Sequence, residues 1–349
     1  MFQGINLFSD TQTRPTAAMK QAMVNAPVGD EQEGEDPTTL ALEERVASLL
    51  GHSSAMFFPT TTMANQVALR LLSERGDELI AAQNSHLFLA ETGGPAVHSG
   101  LMANPIPTAD GTFTGEEVRL RFQHYSGPNF PVSKILSIEN TTNWGGGHAW
   151  SRERLNSVLD AAKALGLKTH LDGARFFNAI LASGMSAQEA ASRFDTVTIC
   201  LSKGLGCPMG AVLAFDKSHW PKVRRLKQLM GGAMRQSGIL AAAGLYALDH
   251  HRERLKEDHD NALILATLLS QEIAHVQVEN VKPSTNMVYF RWTSPVVPCE
   301  TFLAECQQRG VRFCEMEPNR VRAVTHLDIS KDAIHKAVQI VREVSRSFS

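Results

Sequence analysis

The sequence has 349 residues, of which 43% are hydrophobic and 20% are charged, which is enough for one very large or two ordinary globular domains. A net charge of −2 without any block of like charges argues against a nucleic-acid partner, and apolar runs of about ten residues or fewer are too short to span a membrane. Because the five cysteines lack CxxC spacing and no signal peptide is recognised, we expect neither a disulfide framework nor a zinc knuckle, and a cytoplasmic location.

Short apolar runs alternate with helical patterns through the first two thirds of the chain. This alternation is typical of an α/β fold in which helices cover a mostly parallel sheet. Helices are predicted at Thr62–Leu72 and Ser151–Leu165, and Ser151 is placed to cap the second one. The predicted strands are Ala55–Phe58, Glu78–Ala81, Lys134–Ile138, Lys168–Leu171, Thr196–Leu201 and Ala211–Phe215.

The pattern changes from about Ser237. A long helical stretch, Ser237–Ile273, is broken by charged residues around His250 and is followed by shorter strands and helices. We therefore predict a large cofactor-binding domain with an N-terminal arm over residues 1–245 and a smaller α+β domain over residues 246–349. The later predicted elements are strands Met287–Trp292, Val311–Cys314 and Val321–Thr325, a helix near Glu300–Arg309, and a final helix holding Ile334, Val338, Val341 and Val344.

Lys203 directly follows the apolar run Val197–Leu201, so it falls at the carboxyl end of a predicted buried strand. Ligands bind at that edge in open α/β sheets, and a desolvated lysine can form a Schiff base with a carbonyl group. For a lysine considered alone, the commoner alternative is the start of a surface loop. The glycine-rich segment that follows, Gly204–Gly210, is not a dinucleotide fingerprint because its spacing is GxGxxxG and a strand comes next.

Asp172 and Arg175 close another predicted strand and are three residues apart. Such a pair can address one ligand together, and a carboxylate beside a pyridine nitrogen keeps that ring protonated as an electron sink. The alternative is a surface ion pair that contributes little to stability.

Polar residues also surround the start of two further helices. Thr61 and Thr62 precede a helix predicted to begin near Met63, where free N–H groups suit a phosphate, although capping is an equal alternative. His86 follows the strand at Glu78–Ala81, and a lone histidine is more often structural than catalytic. We expect no metal site, since the clustered histidines lie among charged residues and resemble a solvated helix face. These histidines are His250, His251 and His259.

Taken together, these segments resemble the low-specificity L-threonine aldolase family, in the β-eliminating lyase group of the fold-type-I pyridoxal-phosphate enzymes. The resemblance runs nearly from end to end, and many motifs occur in the same order. The segments that carry it are Phe8–Thr16, Val28–Asp30, Gly34–Thr38, Pro59–Asn65, Ile138–Thr141, Leu171–Ala179, Ile199–Pro208, Leu229–Gly238 and Val321–Asp328.

The resemblance implies the residues that bind pyridoxal 5′-phosphate. Lys203 matches the Schiff-base lysine, Asp172 the partner of the pyridine nitrogen, and His86 the histidine stacked on the ring. Arg175 matches the arginine near the phenolic oxygen and the substrate.

The resemblance also implies how the two anionic groups are held. Thr61 and Thr62 match phosphate-binding positions, and Arg235 is expected to contribute to the phosphate from the same or a neighbouring subunit. Ser9 and Arg322 match the pair that holds the substrate carboxylate.

The sequence departs from the family pattern at three positions. Thr61 stands where the family usually has glycine, Glu33 where it has an aromatic residue, and Thr142 where many bacterial members have histidine. Because position 142 is expected to meet the β-hydroxyl, we predict weak discrimination between threonine and allo-threonine. Thr142 could instead only pack a turn, and Trp144 could narrow the pocket and preserve discrimination by shape.

The implied function is cleavage of a β-hydroxy-α-amino acid of the L-threonine or L-allo-threonine type into glycine and an aldehyde. His86 or an ordered water is the candidate base. A homotetramer arranged as a dimer of dimers is expected from the family alone. The alternatives are another reaction on the same cofactor, namely β-elimination, racemisation or transamination, and a non-catalytic binding protein.

Overall fold

The structure is a computed structural model and describes residues 2–348. The strands in this range are β1 Ile5–Asn6, β2 Ser54–Phe58, β3 Glu78–Ala82, β4 Met102–Ile106, β5 Ser133–Glu139, β6 Lys168–Gly173, β7 Thr196–Cys200, β8 Ala211–Phe215, β9 Val276–Val278, β10 Met287–Trp292, β11 Val311–Arg312, β12 Cys314–Glu317 and β13 Arg320–Val324. Within the same range, no helix is both long and apolar enough to cross a membrane.

The helices include both of those predicted in the first half of the chain. Ser151 caps the second of them as expected, since its side chain accepts the backbone N–H of Arg154 at 3.2 Å. Short 3-10 turns also occur at Asp10–Gln12, Glu31–Glu33 and Lys217–His219. The α-helices are α1 Ala17–Val24, α2 Pro37–Leu50, α3 Thr61–Leu72, α4 His86–Leu89, α5 Gly94–Ser99, α6 Gly115–Arg121, α7 Arg152–Ala164, α8 Phe176–Ser183, α9 Ala187–Ala191, α10 Trp220–Leu229, α11 Gly238–His250, α12 Leu255–Glu272, α13 Cys299–Gln308 and α14 Lys331–Arg346.

A seven-stranded sheet organises the larger part of the molecule, with strand order β2-β8-β7-β6-β5-β3-β4. Strands β3 to β7 pair in parallel, and β8 runs antiparallel to both β7 and β2. Side chains alternate between two cores, because successive residues of a strand point to opposite faces. Phe57 lies in one core, whereas Met56 and Phe58 lie in the other. The predicted α/β class with a mostly parallel sheet is confirmed.

Strand β4 is the element of this sheet that the sequence pattern did not predict. It lies at the edge beside β3, and most of its residues are at least partly exposed. Pro105 lies within it, and proline is tolerated in a strand only at such an edge, where its missing N–H is not needed for pairing. Its sequence therefore lacks the apolar run that marks the central strands.

The smaller part is a four-stranded antiparallel sheet, β12-β13-β10-β9, packed against α12, α13 and α14. The single strand predicted at Val311–Cys314 is divided between two sheets. Residues 311–312 pair in parallel with β1, whereas Cys314 begins the strand that pairs with β13. Leu7 also lies in the core of the smaller part, although the sequence division assigns it to the N-terminal arm of the large domain.

The predicted break around His250 is confirmed, because α11 ends at His250 and α12 begins at Leu255. Helix α11 packs on α1 and α2, whereas α12 packs on α14 and the small sheet. The domain boundary near residue 245 stays a prediction. The interpretation of His251 as solvated is wrong, because its ring is buried against the large part and its Nδ1 donates to the carbonyl of Leu205 at 2.7 Å.

Candidate active site

A cavity of about 330 Å³ lies between the carboxyl edge of the large sheet and one face of the small sheet. Both parts of the molecule and the N-terminal segment contribute to its wall. Five residues predicted from the sequence as site residues line it together, namely Ser9, His86, Arg175, Lys203 and Arg322. This convergence makes the cavity the candidate active site.

Asp172 lies behind this wall at the end of β6 and is 1% exposed. Its carboxylate accepts the backbone N–H of Ala174 at 3.1 Å and the side-chain amide of Asn65 at 2.9 Å. Its oxygen lies within 4.8 Å of the polar atoms of both His86 and Glu91. The carboxylate is therefore fixed by neutral donors, without a cationic side chain among its hydrogen-bond donors in the described part of the chain.

Helix α3 connects Asp172 to the predicted phosphate position. The helix begins at Thr61, two residues before the predicted start near Met63, and the Thr60 hydroxyl caps it by accepting the N–H of Met63 at 3.2 Å. Asn65 follows Thr61 by one turn, which rises about 6 Å along the axis. The N-terminus of α3, with Thr61 half-buried and Thr62 exposed, therefore lies about one helical turn from the residue that binds Asp172.

His86 is the first residue of α4, and its Nδ1 lies 3.0 Å from a carboxylate oxygen of the fully buried Glu91. Burial alone would lower the pKa of His86. The hydrogen bond to Glu91 and the charges of Asp172 and Glu91 outweigh this effect, so that the pKa of His86 is raised above its usual value. His86 consequently keeps its proton to higher pH than an ordinary histidine.

Arg175 is committed to a partner that the sequence analysis did not assign. Its Nε and one terminal nitrogen each donate to Asp10 at 2.7 Å, and both side chains are almost completely buried. Burial would raise the pKa of Asp10, but the Arg175 guanidinium holds it well below its usual range. Asp10 lies within Phe8–Thr16, one of the segments that carry the family resemblance. Its position directly after Ser9 could therefore have indicated from the sequence that it belongs to the site.

Arg322 lies on β13 and is 6% exposed. One terminal nitrogen donates to the side-chain oxygen of Asn143 at 2.6 Å, and the other donates to the carbonyl of Phe8 at 3.2 Å. Its Nε is buried and has no hydrogen-bond partner among residues 2–348. Because a buried donor without an acceptor is costly, this geometry fits a bound carboxylate.

Thr142 and Trp144 occupy different environments. The Thr142 side chain is 2% exposed and its hydroxyl accepts the backbone N–H of His148 at 3.2 Å, within a turn. Asn143 and Trp144 line the cavity, and the Trp144 ring centroid lies 6.3 Å from that of His86. The geometry therefore favours the turn-packing alternative for Thr142.

Arg235 lies on the surface, where its side chain is 60% exposed and donates to Asp30 at 2.7 Å. Glu33, one of the departures from the family pattern, is also exposed in the neighbouring turn. The cavity wall thus brings together Ser9, His86, Arg175, Lys203 and Arg322. The other predicted residues do not line it, namely Thr61, Thr62, Thr142, Asp172 and Arg235.

We expect Asp10→Asn to lower the free energy of unfolding by about 3–5 kcal/mol, because it leaves the buried Arg175 cation without its charged partner. Since the pKa of Asp10 is depressed in the folded state, this contribution is present above the usual aspartate pKa and is lost as the pH falls. Denaturant unfolding from pH 7 to pH 2 measures both effects, because the loss falls mainly below the usual aspartate pKa. The control is Asp249→Asn, which removes an exposed ion pair with Arg45 and should change stability by less than about 1 kcal/mol. Equal losses in the two variants would contradict the structural role of Asp10.

Comparison with solved structures identifies the fold. The fold is that of the fold-type-I pyridoxal-phosphate enzymes: the threonine aldolase of Leishmania major superposes with a TM-score of 0.84 at 20% identity, covering 98% of this chain and 99% of that one. A putative L-allo-threonine aldolase from Listeria monocytogenes superposes with a TM-score of 0.81 at 21% identity, covering 99% and 96%.

The sequence comparisons define the family. The model of the beta-eliminating lyase family matches residues 6–293. The low specificity L-threonine aldolase of Escherichia coli K12 is 41% identical over 331 residues, covering 95% of this chain and 96% of that protein. Low-specificity L-threonine aldolase 1 of Arabidopsis thaliana is 34% identical over 339 residues, covering 96% and 94%. The chain belongs to the beta-eliminating lyase family, in its low-specificity L-threonine aldolase branch, and is an enzyme of the lyase class.

Proposed function

We propose that this protein is a pyridoxal-5′-phosphate-dependent aldolase that cleaves a β-hydroxy-α-amino acid of the L-threonine or L-allo-threonine type into glycine and an aldehyde. The observation that carries the proposal is the cavity itself. It combines Lys203 at a strand end, the buried Asp172 carboxylate behind the wall, and an arginine whose buried Nε lacks an acceptor among the described residues. The names of the relatives support the same reaction.

The residues present fit the cofactor. Lys203 would hold it covalently, the Asp172 carboxylate would accept a hydrogen bond from the protonated pyridine nitrogen, and His86 would lie against the ring. When bound, pyridoxal phosphate supplies a protonated ring that takes up the electron pair left on the substrate's α-carbon.

The two anionic groups have separate positions in this proposal. The N-terminus of α3, with Thr61 and Thr62, would bind the phosphate through its free N–H groups and hydroxyls. Arg175 would face the phenolic oxygen and the substrate with the donors that Asp10 leaves free.

The substrate would be oriented by its carboxylate. Arg322 offers Nε toward that group, and Ser9 lies in the same wall. Holding the carboxylate there would orient the bond between the α- and β-carbons perpendicular to the plane of the ring. The β-hydroxyl proton leaves as this bond breaks and the aldehyde forms, and a proton then adds to the α-carbon to give glycine. His86 and an ordered water are both candidates for the base that removes this proton.

The test of the proposed function is a product assay with the purified enzyme and pyridoxal phosphate. Threonine, allo-threonine and phenylserine should each be tested, and at least one should release glycine and the matching aldehyde in equal amounts. Release of ammonia with 2-oxobutanoate from threonine or allo-threonine, or with phenylpyruvate from phenylserine, would instead show β-elimination and refute the aldolase assignment.

We also propose a homotetramer arranged as a dimer of dimers, in which Arg235 contributes to the phosphate site of a neighbouring subunit. The supporting observations are the exposed position of Arg235 and three exposed apolar side chains that are close in sequence to Arg235 or to its partner Asp30. These are Val28, Leu229 and Ile239, which are 44%, 78% and 45% exposed.

Arg235→Ala is expected to raise the dissociation constant for pyridoxal phosphate about tenfold or more, the effect of losing a charge-assisted hydrogen bond. A titration followed by cofactor absorbance measures this change, and sedimentation reports the oligomeric state. Arg45→Ala, at another exposed ion pair, is the control and should leave affinity unchanged. Unaltered affinity in a protein that remains oligomeric would contradict the role of Arg235.

The position of Thr142 in a turn leads to a further prediction. Thr142→Val keeps the shape of the side chain but removes the acceptor of the His148 N–H, so stability should fall by about 1–2 kcal/mol. The ratio of kcat/KM for threonine and allo-threonine should change by less than about twofold. Loss of a hydrogen bond to the β-hydroxyl, about 1 kcal/mol, would instead change this ratio about fivefold. A larger change in that ratio would support the expectation from the sequence that position 142 meets the β-hydroxyl.

A further inference from the structure

Glu139 ends strand β5, and its carboxylate binds two separate segments of the cavity wall. One oxygen accepts the backbone N–H of His86 at 2.9 Å, and the other accepts the backbone N–H of Asn143 at 2.8 Å. Glu139 is 7% exposed and lies in the wall itself. One buried side chain therefore joins the start of helix α4 to the segment that follows β5.

The first contact determines where His86 begins its helix. Ser85 occupies the capping position but makes no capping hydrogen bond, and its buried hydroxyl has no partner within the described range. Glu139 supplies from β5 an acceptor for one of the first N–H groups of the helix, which have no partner within the helix itself. The backbone of His86 is consequently held by a residue on another element.

The second contact reaches Arg322 through Asn143. The Asn143 side-chain oxygen accepts a hydrogen bond from Arg322 at 2.6 Å, and its carbonyl accepts one from the hydroxyl of Tyr289. Asn143 is 8% exposed, so these contacts are shielded from water. Any displacement of the Asn143 backbone therefore moves an acceptor of the guanidinium.

We propose that Glu139 is a positioning residue that fixes His86 and, through Asn143, Arg322 at the same time. The roles of His86 and Arg322 in this statement rest on the proposed function. The chemistry requires an ionised carboxylate, because its two oxygens accept both N–H groups, whereas an amide or a protonated acid presents a donor to one of them.

Two opposing effects act on the charge of Glu139. Burial and the neighbouring charge of Asp172 raise the pKa of Glu139 to about 7, whereas the two backbone hydrogen bonds lower it. The hydrogen bonds thus oppose the protonation that burial favours, and both contacts should weaken as the pH falls below about 7.

The first measurement is amide hydrogen exchange of the holoenzyme carrying Glu139→Gln. The segments that contain His86 and Asn143 should both exchange about fivefold faster or more, as expected for the loss of a modest hydrogen bond. Glu78→Gln is the matched control, because Glu78 is also a buried glutamate of the large sheet but binds the side chains of Ser133 and Asn104. Unchanged exchange in either segment of the Glu139 variant would overturn the proposal.

The second measurement separates positioning from general structural loss. Glu139→Gln should raise KM through Arg322 and lower kcat through His86, whereas Asn143→Ala should mainly raise KM. In the variant that carries both Glu139→Gln and Asn143→Ala, the two increases in KM should be less than multiplicative, because both act through the Arg322 guanidinium. The decrease in kcat caused by Glu139→Gln should persist in this variant. Fully multiplicative KM effects would overturn the route through Asn143.

Glu139→Asp covers the case in which the glutamine variant does not fold. It keeps an ionised carboxylate but is one methylene shorter, so both segments should exchange measurably faster than in the wild type, by less than about fivefold. Wild-type exchange in either segment of this variant would overturn the proposal.

Hydrogen exchange needs no substrate, so failure of the wild-type enzyme to cleave β-hydroxy amino acids would refute the proposed function alone.

Discussion

Lys203→Ala is expected to give a folded protein that binds pyridoxal phosphate only non-covalently. Its activity should be lower than that of the wild type by a factor of about a hundred to ten thousand. Lys203 follows β7 in the cavity wall, and its own carbonyl accepts the Thr13 hydroxyl at 2.8 Å. This contact does not involve the side chain, so truncation at Cβ should leave the loop in place.

Borohydride reduction followed by peptide mass spectrometry measures the covalent attachment. The label should appear on the peptide that contains Lys203 in the wild type and should disappear in the variant. Lys168→Ala is the control, because Lys168 is exposed at the opposite end of β6 and pairs with Asp195 at 3.0 Å. A label on Lys168 or on any other lysine would refute the assignment.

Arg322→Ala is expected to lower kcat/KM by about tenfold to a hundredfold or more, the effect of losing hydrogen bonds to a charged group. The cofactor spectrum should stay intact, because Arg322 has no role in binding the cofactor in this proposal. Arg322→Lys should recover little of the loss, since a lysine cannot replace the planar fork of an arginine.

Arg320 is the alternative residue for the carboxylate, and the structure argues against it. Its guanidinium binds Glu279 through two hydrogen bonds of 2.8 and 3.0 Å and also donates to the carbonyl of Trp144 at 2.9 Å. Wild-type kinetics in Arg322→Ala would nevertheless assign the carboxylate to another residue, and Arg320 would then be tested first.

The sequence by itself predicted the parts of this site that depend on local pattern. Lys203 follows an apolar run and Asp172 follows another predicted strand, and the carboxyl ends of parallel strands meet at one edge of a sheet. The same periodicity predicted the six main strands, although it missed β4, whose exposed edge position removes the apolar signal. The resemblance added Ser9, His86 and Arg322, which the structure places in the same wall.

Only the tertiary structure decided which side chains hold these residues in place. Arg175 meets Asp10 across 165 positions of sequence, and Arg322 meets Asn143 across 179. The tertiary structure also placed Thr142 in a buried turn while its neighbour Asn143 faces the cavity. Hydrophobic periodicity reports only which face of its own helix or strand a residue occupies. These contacts instead depend on how the small sheet and the N-terminal segment pack across the edge of the large sheet.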